Sequence, residues 1–285
     1  MKKSNIFQFC GFLFLAVLFT SCEDKVELDL PEGEKRLVVE GFITNEERSH
    51  FVFLTYTSAY FSNSESPKAT GATVILRDDT GAEIVLEEFA PGVYTYPNGG
   101  EIGRTYHLEI TLPDGERYRS NPELLKEVSP ILDINSPVSA RQPNTLFDED
   151  PDQIYEVVID TFEPEGVGDY YRWRSIVNGV LKSQPFDISV ASDEFVDGNP
   201  ILNFNVTNQL YFQGDSVTII QESISRGLYD FLVLVQAQTA FVGSPFDTPP
   251  VPIKGNVINT ENQDLPALGY FGATARSRAC IVVGP

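Results

Sequence analysis

The side chains able to bind metals, activate nucleophiles or carry protons are unevenly stocked in this chain, which holds two histidines, three cysteines and 41 acidic residues. His50 and His107 stand far apart with no His or Cys at ligand spacing, so the nitrogen and sulfur donors of a tetrahedral zinc site are not assembled in the sequence. Both histidines are expected at the solvated surface. Asp148-Glu149-Asp150-Pro151-Asp152 sets carboxylates at alternate positions, as calcium loops do. Gln153, however, stands where an EF-hand turns on Gly, and Ile159 stands where it needs a bidentate Glu. The stretch reads as a solvated acidic linker, with a weak extracellular calcium site as the alternative. No Gly-x-Ser-x-Gly elbow occurs, and Gly166-Val167-Gly168 is too short for a dinucleotide fingerprint. Sequence alone cannot set two of the many carboxylates at the separation that glycoside hydrolysis requires. The expectation is no catalytic residue, no metal and no cofactor.

Cys22 is the residue with the clearest chemistry. It follows Lys2 and Lys3, an apolar run from Phe12 to Phe19 and the small pair Thr20-Ser21, the features of a secretory signal over residues 1–21. The apolar part falls short of the about 20 residues a membrane span needs and runs directly into Glu23, Asp24 and Lys25. Leu18-Phe19-Thr20-Ser21-Cys22 resembles the bacterial lipobox, in which the thiol at the cleavage point is acylated and becomes the first mature residue; Phe19 departs from the usual Leu. Lipidation of Cys22 is therefore expected. Cys10 would leave with the signal, which leaves Cys280 without a partner and the chain without an intrachain disulfide. Within Ala279-Cys280-Ile281-Val282-Val283, Cys280 reads as a small buried hydrophobe of a terminal strand.

Composition indicates the scaffold that must carry these residues. A formal charge of −21 repels a phosphate backbone, so nucleic acid is excluded as a partner, and loss of residues 1–21 with their two lysines makes the balance more negative still. The 20 Phe and 12 Tyr supply a core, and the 19 Pro and 21 Gly punctuate short Val/Ile/Phe/Tyr runs in the manner of mainly β proteins. At roughly 100–200 residues per domain, 285 residues predict two, with one large β domain as the alternative. Residues 22–35, charged and containing Pro31 and Gly33, read as a tether. Strands are expected at 36–43, 51–57, 72–77, 83–87, 92–96, 105–110 and 116–120, with turns at Asp78-Asp79-Thr80-Gly81 and Pro113-Asp114-Gly115. This density predicts an immunoglobulin- or transthyretin-like β-sandwich over residues 36–124. Prolines 122, 130, 137, 143 and 151 then lead into a second, mostly β domain over 125–285, with strands at 154–162, 170–178, 201–206, 216–223 and 279–283. One helix is expected over 225–241, where Leu228, Phe231, Leu232 and Val235 fall at helical spacing and Ser225 can cap the start, although Val233-Leu234-Val235 also permits a buried strand. Tyr60 and Phe61 open a polar loop and are the residues expected to touch a partner or ligand.

Several segments together resemble one family. Cys22-Glu23-Asp24, Leu30-Pro31-Glu32-Gly33-Glu34, Arg36-Leu37-Val38-Val39-Glu40-Gly41 and Gly71-Ala72-Thr73-Val74 are similar to the N-terminal half of the Bacteroidota lipoproteins grouped as domain of unknown function 4249. Gly92-Val93-Tyr94, Gly103-Arg104-Thr105-Tyr106, Phe246-Asp247-Thr248-Pro249-Pro250, Lys254-Gly255-Asn256 and Leu268-Gly269-Tyr270-Phe271-Gly272-Ala273 continue the match. The resemblance implies a lipoprotein of the outer membrane, often encoded beside TonB-dependent transporters of the SusC type, and implies no catalytic residues. Glu23 and Asp24 resemble the acidic signal that sends such lipoproteins to the cell surface, although Lys25 interrupts the run. The expected function is a lipid-anchored binding or accessory subunit of such a transport system, exposed at the cell surface. The alternatives are a structural or adhesive envelope module and an unrecognised hydrolase.

Overall fold

Alternation of inward apolar and outward residues organises most of the chain into strands. The computed structural model describes residues 34–58, 64–140, 153–239 and 253–284, and residues 35–285 form one compact unit. Its largest element is a nine-stranded sheet that combines strands from both ends of the sequence. β14 (Val180–Leu181), β13 (Tyr170–Val177), β18 (Ser216–Ile224), β20 (Leu268–Val282), β1 (Leu37–Thr44), β2 (His50–Tyr56), β6 (Val93–Tyr96) and β5 (Glu87–Ala90) follow one another across it, with β15 (Ser189–Ser192) also beside β13. A six-stranded sheet runs β19 (Val257–Asn259), β8 (Arg117–Ser120), β7 (Thr105–Thr111), β3 (Thr73–Asp78), β4 (Glu83–Val85), with β9 (Glu123–Leu124) on β7. Two small sheets complete the fold: β10 (Asp133–Asn135), β12 (Val158–Phe162) and β16 (Pro200–Phe204), and the pair β11 (Ile154–Tyr155) and β17 (Tyr211–Phe212).

The protein is mainly β, and the inner face of the large sheet carries two hydrophobic cores. The first joins Leu37, Val39, Val52, Leu54 and Tyr94 to Val74, Leu76, Leu108, Ile110 and Tyr118 of the six-stranded sheet. The second gathers Tyr155, Val157, Ile159, Tyr171, Trp173, Tyr211, Val217 and Ile219. β20 serves both: Phe271, Ala273 and Ala275 belong to the first core, while Ile281 and the following Val283 pack into the second. The strand β20 pairs parallel with β1, Val38 facing Leu268, and antiparallel with β18, Glu222 facing Arg276. The first sandwich is thus completed by residues 257–275, which lie on the far side of the division expected at residue 124.

The resemblance motifs near the C-terminus sit at a close backbone crossing. Gly269 has a positive φ of 83°, and a Cβ on it would meet the Val39 carbonyl oxygen; a Cβ on Gly255 would meet the Gly269 carbonyl oxygen. Asn256 then imitates a strand, donating to the Phe271 carbonyl at 2.7 Å and accepting from the Phe271 amide at 2.9 Å.

The single helix among the described residues, α1 (Arg226–Thr239), begins where Ser225 Oγ accepts the Leu228 amide at 3.1 Å, so the expected cap forms. It lies on the outer face of the large sheet, burying Leu228 against Ile224 and Tyr270 and packing Tyr229 on Tyr170 and Phe231 on Tyr270.

Two expectations are corrected. His50 is buried, because it begins β2 on the face shared with Val52 and Leu54; its Nε2 lies 3.1 Å from the Glu46 carbonyl and its ring stacks on Tyr96. Cys280 is exposed, because in β20 the neighbours Ile281 and Val283 take the inward direction and the thiol points outward. His107 is half-buried on β7, with Arg119 Nη2 3.2 Å from its Nε2.

Candidate functional site

The outer face of the large sheet carries a ladder of charge. Arg172 on β13, Glu222 on β18 and Arg276 on β20 face one another in register. Arg276 Nε donates to Glu222 Oε1 at 2.7 Å, Arg172 Nε pairs with Glu222 Oε2, and Arg276 Nη1 and Arg278 Nη2 each reach Glu46 at 3.0 Å. Burial alone would raise the Glu222 carboxyl, but Arg172 and Arg276 overcome it and hold the group at about 2. Arg172 also lies over the Phe42 ring at 4.9 Å. Arg172, Arg276 and Arg278 each pair with Glu222 or with Glu46 of the β1–β2 connection, which makes the ladder structural, although Arg172 Nη2 is buried without a partner.

A cleft of about 630 Å³ opens at the end of the second core. The turn Asn178-Gly179, with φ of 51° and 81°, reverses β13 into β14, the geometry that favours Asn-Gly in tight hairpins. Asn178 Nδ2 donates to Asp215 Oδ1 at 2.8 Å, and Asp215 Oδ2 accepts the Phe212 amide at 2.9 Å. Across the cleft a short 3-10 turn, Pro185–Asp187, presents Phe186, and Asp187 Oδ1 accepts from Gln209 Nε2 at 2.6 Å. Phe186 and Phe212 are both exposed, so fixed amides and carboxylates alternate with two open ring surfaces. Such a lining offers stacking faces and oriented hydrogen bonds to a small polar ligand.

A second constellation is acidic. Glu163 follows β12, Asp169 precedes β13 and Asp193 follows β15; pairing of Tyr170 with Ser192 across β13 and β15 sets the last two side by side. Asp193 Oδ2 accepts the amides of Gly168 at 2.7 Å and Asp169 at 2.9 Å, and Gly166 and Gly168, both at positive φ, let the connecting loop fold over it. Tyr171 donates its hydroxyl to Glu163 Oε1 at 3.0 Å, and Lys126 pairs with Asp169. Burial, with the neighbouring charges of Asp169 and Asp193, pushes the Glu163 carboxyl up to about 7. A cleft of about 350 Å³ adjoins the group and is lined by Lys126, Ser129, Phe162, Glu165, Asp169 and Tyr171.

The residues expected from sequence fall elsewhere. Cys22, Tyr60 and Phe61, and the acidic stretch 148–152, lie outside the described residues. On β13, Tyr171 and Trp173 point into the second core, where Trp173 Nε1 donates to Gln221 at 2.9 Å, and Tyr170 lies under the helix. Neither the cleft nor the acidic group stood out in the sequence, since Phe186, Gln209 and Phe212, like Glu163, Asp169 and Asp193, come together only through strand pairing. The Asn178-Gly179 dipeptide was the one local sign of the cleft. No described helix is long and apolar enough to cross a membrane.

No curated protein is significantly similar to the chain. The family described as Domain of unknown function (DUF4249) matches residues 23–279, and the protein belongs to that family.

Proposed function

We propose that the protein is a lipid-anchored outer-membrane subunit that binds a small polar ligand for a TonB-dependent, SusC-like transport system, acting by binding and not by catalysis. The observation that carries the binding role is the cleft between Phe186 and Phe212, whose polar groups are fixed by Asp187 and Asp215 while its rings stay open. The anchoring role rests on Cys22 and the apolar segment before it. Acyl chains contribute about 0.8 kcal/mol per buried methylene, so two or more chains hold a protein stably at a bilayer. From such an anchor the tether of residues 22–35, at most about 3.5 Å per residue, keeps the body within ~50 Å of the membrane. The acidic pair Glu23-Asp24 supports exposure at the cell surface.

The decisive experiment is affinity purification from mild detergent beside protease treatment of intact cells. A co-purifying barrel transporter and digestion of the body on whole cells support the reading, and Cys22→Ser should move the body into the soluble fraction. Protection from protease with no barrel partner would sink it and favour a structural or adhesive role.

A further inference from the structure

We propose that Glu163 and Asp169 form a proton-operated latch: with Glu163 protonated the two side chains close the loop of residues 164–168, and ionisation of Glu163 lets that loop open. Glu163 and Asp169 stand at the two ends of the loop that joins β12 to β13, and both are buried. Their carboxyl groups are hydrogen-bonded to each other, which two such groups achieve only with a proton between them. Tyr171 donates to Glu163 Oε1 at 3.0 Å and Lys126 pairs with Asp169 Oδ1, so each acid keeps a second oxygen for that proton. Inside the loop, Gly166 and Gly168 have φ of 119° and 112°, and nothing lies within 4 Å of where a Cβ would stand, so both have room to turn. Carboxylates hold the loop's amides in the closed state: Asp193 Oδ2 accepts those of Gly168 and Asp169, and Asp197 Oδ1 accepts that of Gly166 at 2.7 Å.

Charge supplies the switch. Glu163 faces Tyr171 of β13, Asp169 before that strand and Asp193 after β15, while Lys126, Glu127 and Glu165 line the adjoining cleft and Asp197 holds Gly166. Lys126 is the one cation among these groups, and its side chain is half-exposed. A further buried negative charge beside Asp169 and Asp193 is opposed by both, so loss of the proton turns a hydrogen bond into a repulsion. Burial, with the charges of Asp169 and Asp193, places that loss at about 7, above the ordinary 4.5. The stabilisation is therefore complete below 4.5 and disappears as pH rises through about 7. Pro164, Glu165 and Gly166 belong to the lining of the cleft of about 350 Å³, so an open loop widens it.

Hydrogen exchange of the purified protein, read by mass spectrometry and corrected for the intrinsic effect of pH, tests the latch. From about pH 5.5 to about pH 8.5, protection of the amides of Gly166, Gly168 and Asp169 should fall about tenfold more than that of β18. Glu163→Gln keeps an uncharged group able to donate to Asp169 and accept from Tyr171, so its loop should stay protected at both values. Lys126→Met removes a cation that favours ionisation of the acids, and should move the midpoint of the loss upward in pH. Constant protection in the wild type, or an equal fall in β18, would overturn the proposal. So would an equal fall in a folded Glu163→Gln protein. A Lys126→Met midpoint that stays in place or moves down would overturn it as well, even where Glu163→Gln does not fold.

Discussion

Glu222 on β18 and Arg276 on β20 face each other across the strand pair that joins the two halves of the protein, with Arg276 Nε 2.7 Å from the carboxylate. Glu222 has no solvent exposure, and Arg172 holds its other oxygen. Removing the negative charge strands the buried Arg172 guanidinium and leaves Arg276 only its bond to Glu46, and breaking a buried pair in this way typically costs about 3–5 kcal/mol. Glu222→Gln should therefore lower the urea midpoint strongly with little change in slope, and an unchanged midpoint would show the ladder to be energetically idle.

The same carboxylate sets an acid limit. Its folded value of about 2 lies below the ordinary 4.5, so its contribution is complete above 4.5 and is lost as pH falls toward 2. Stability of the wild type should drop through that window. In Glu222→Gln the drop should be visibly shallower, which a pH series of thermal melts will measure.

Gly255→Ala tests the backbone crossing. Its Cβ would sit 1.6 Å from the Gly269 carbonyl oxygen, and Gly269 is itself held against Val39 of β1. Overpacking of this kind costs about 1–3 kcal/mol or more. A melting temperature several degrees below the wild type is expected, whereas Gly81→Ala, where nothing lies within 4 Å, strains φ alone and should cost less.

Cys280 should react in the native state. Its thiol is exposed, so a maleimide should label it without denaturant, and peptide mapping should place the label there. Labelling confined to unfolded protein would contradict its outward position in β20.

The parts of the fold that were legible in sequence obey one-sided burial. β1, β2, β3, β7, β13 and β18 fall within a few residues of their expected places, because one face of each is apolar or ringed, and α1 declared itself through Ser225 and the spacing of Leu228 and Phe231. The first half of β20 was not legible as a strand. From Tyr270 to Ala275 it is buried on both faces, under the helix and Phe42 on one side and against the first core on the other, so it shows small residues and no alternation. His50 was misplaced because a polar residue at a strand's first inward position looks like the end of a loop. The acidic trio and the cleft were invisible for a different reason: register across β13 and β15, and across β11 and β17, is a long-range property that no local window contains.

The sharing of β20 between both cores governs the order of events when the chain is made. β1 is synthesised well before β20, Val38 and its partner Leu268 being 230 residues apart, so neither core closes until β20 has appeared. Pairings this distant make for slow folding. They also leave neither core able to finish before the other. Folding is then a single joint event, in which arrival of β20 locks both cores at once.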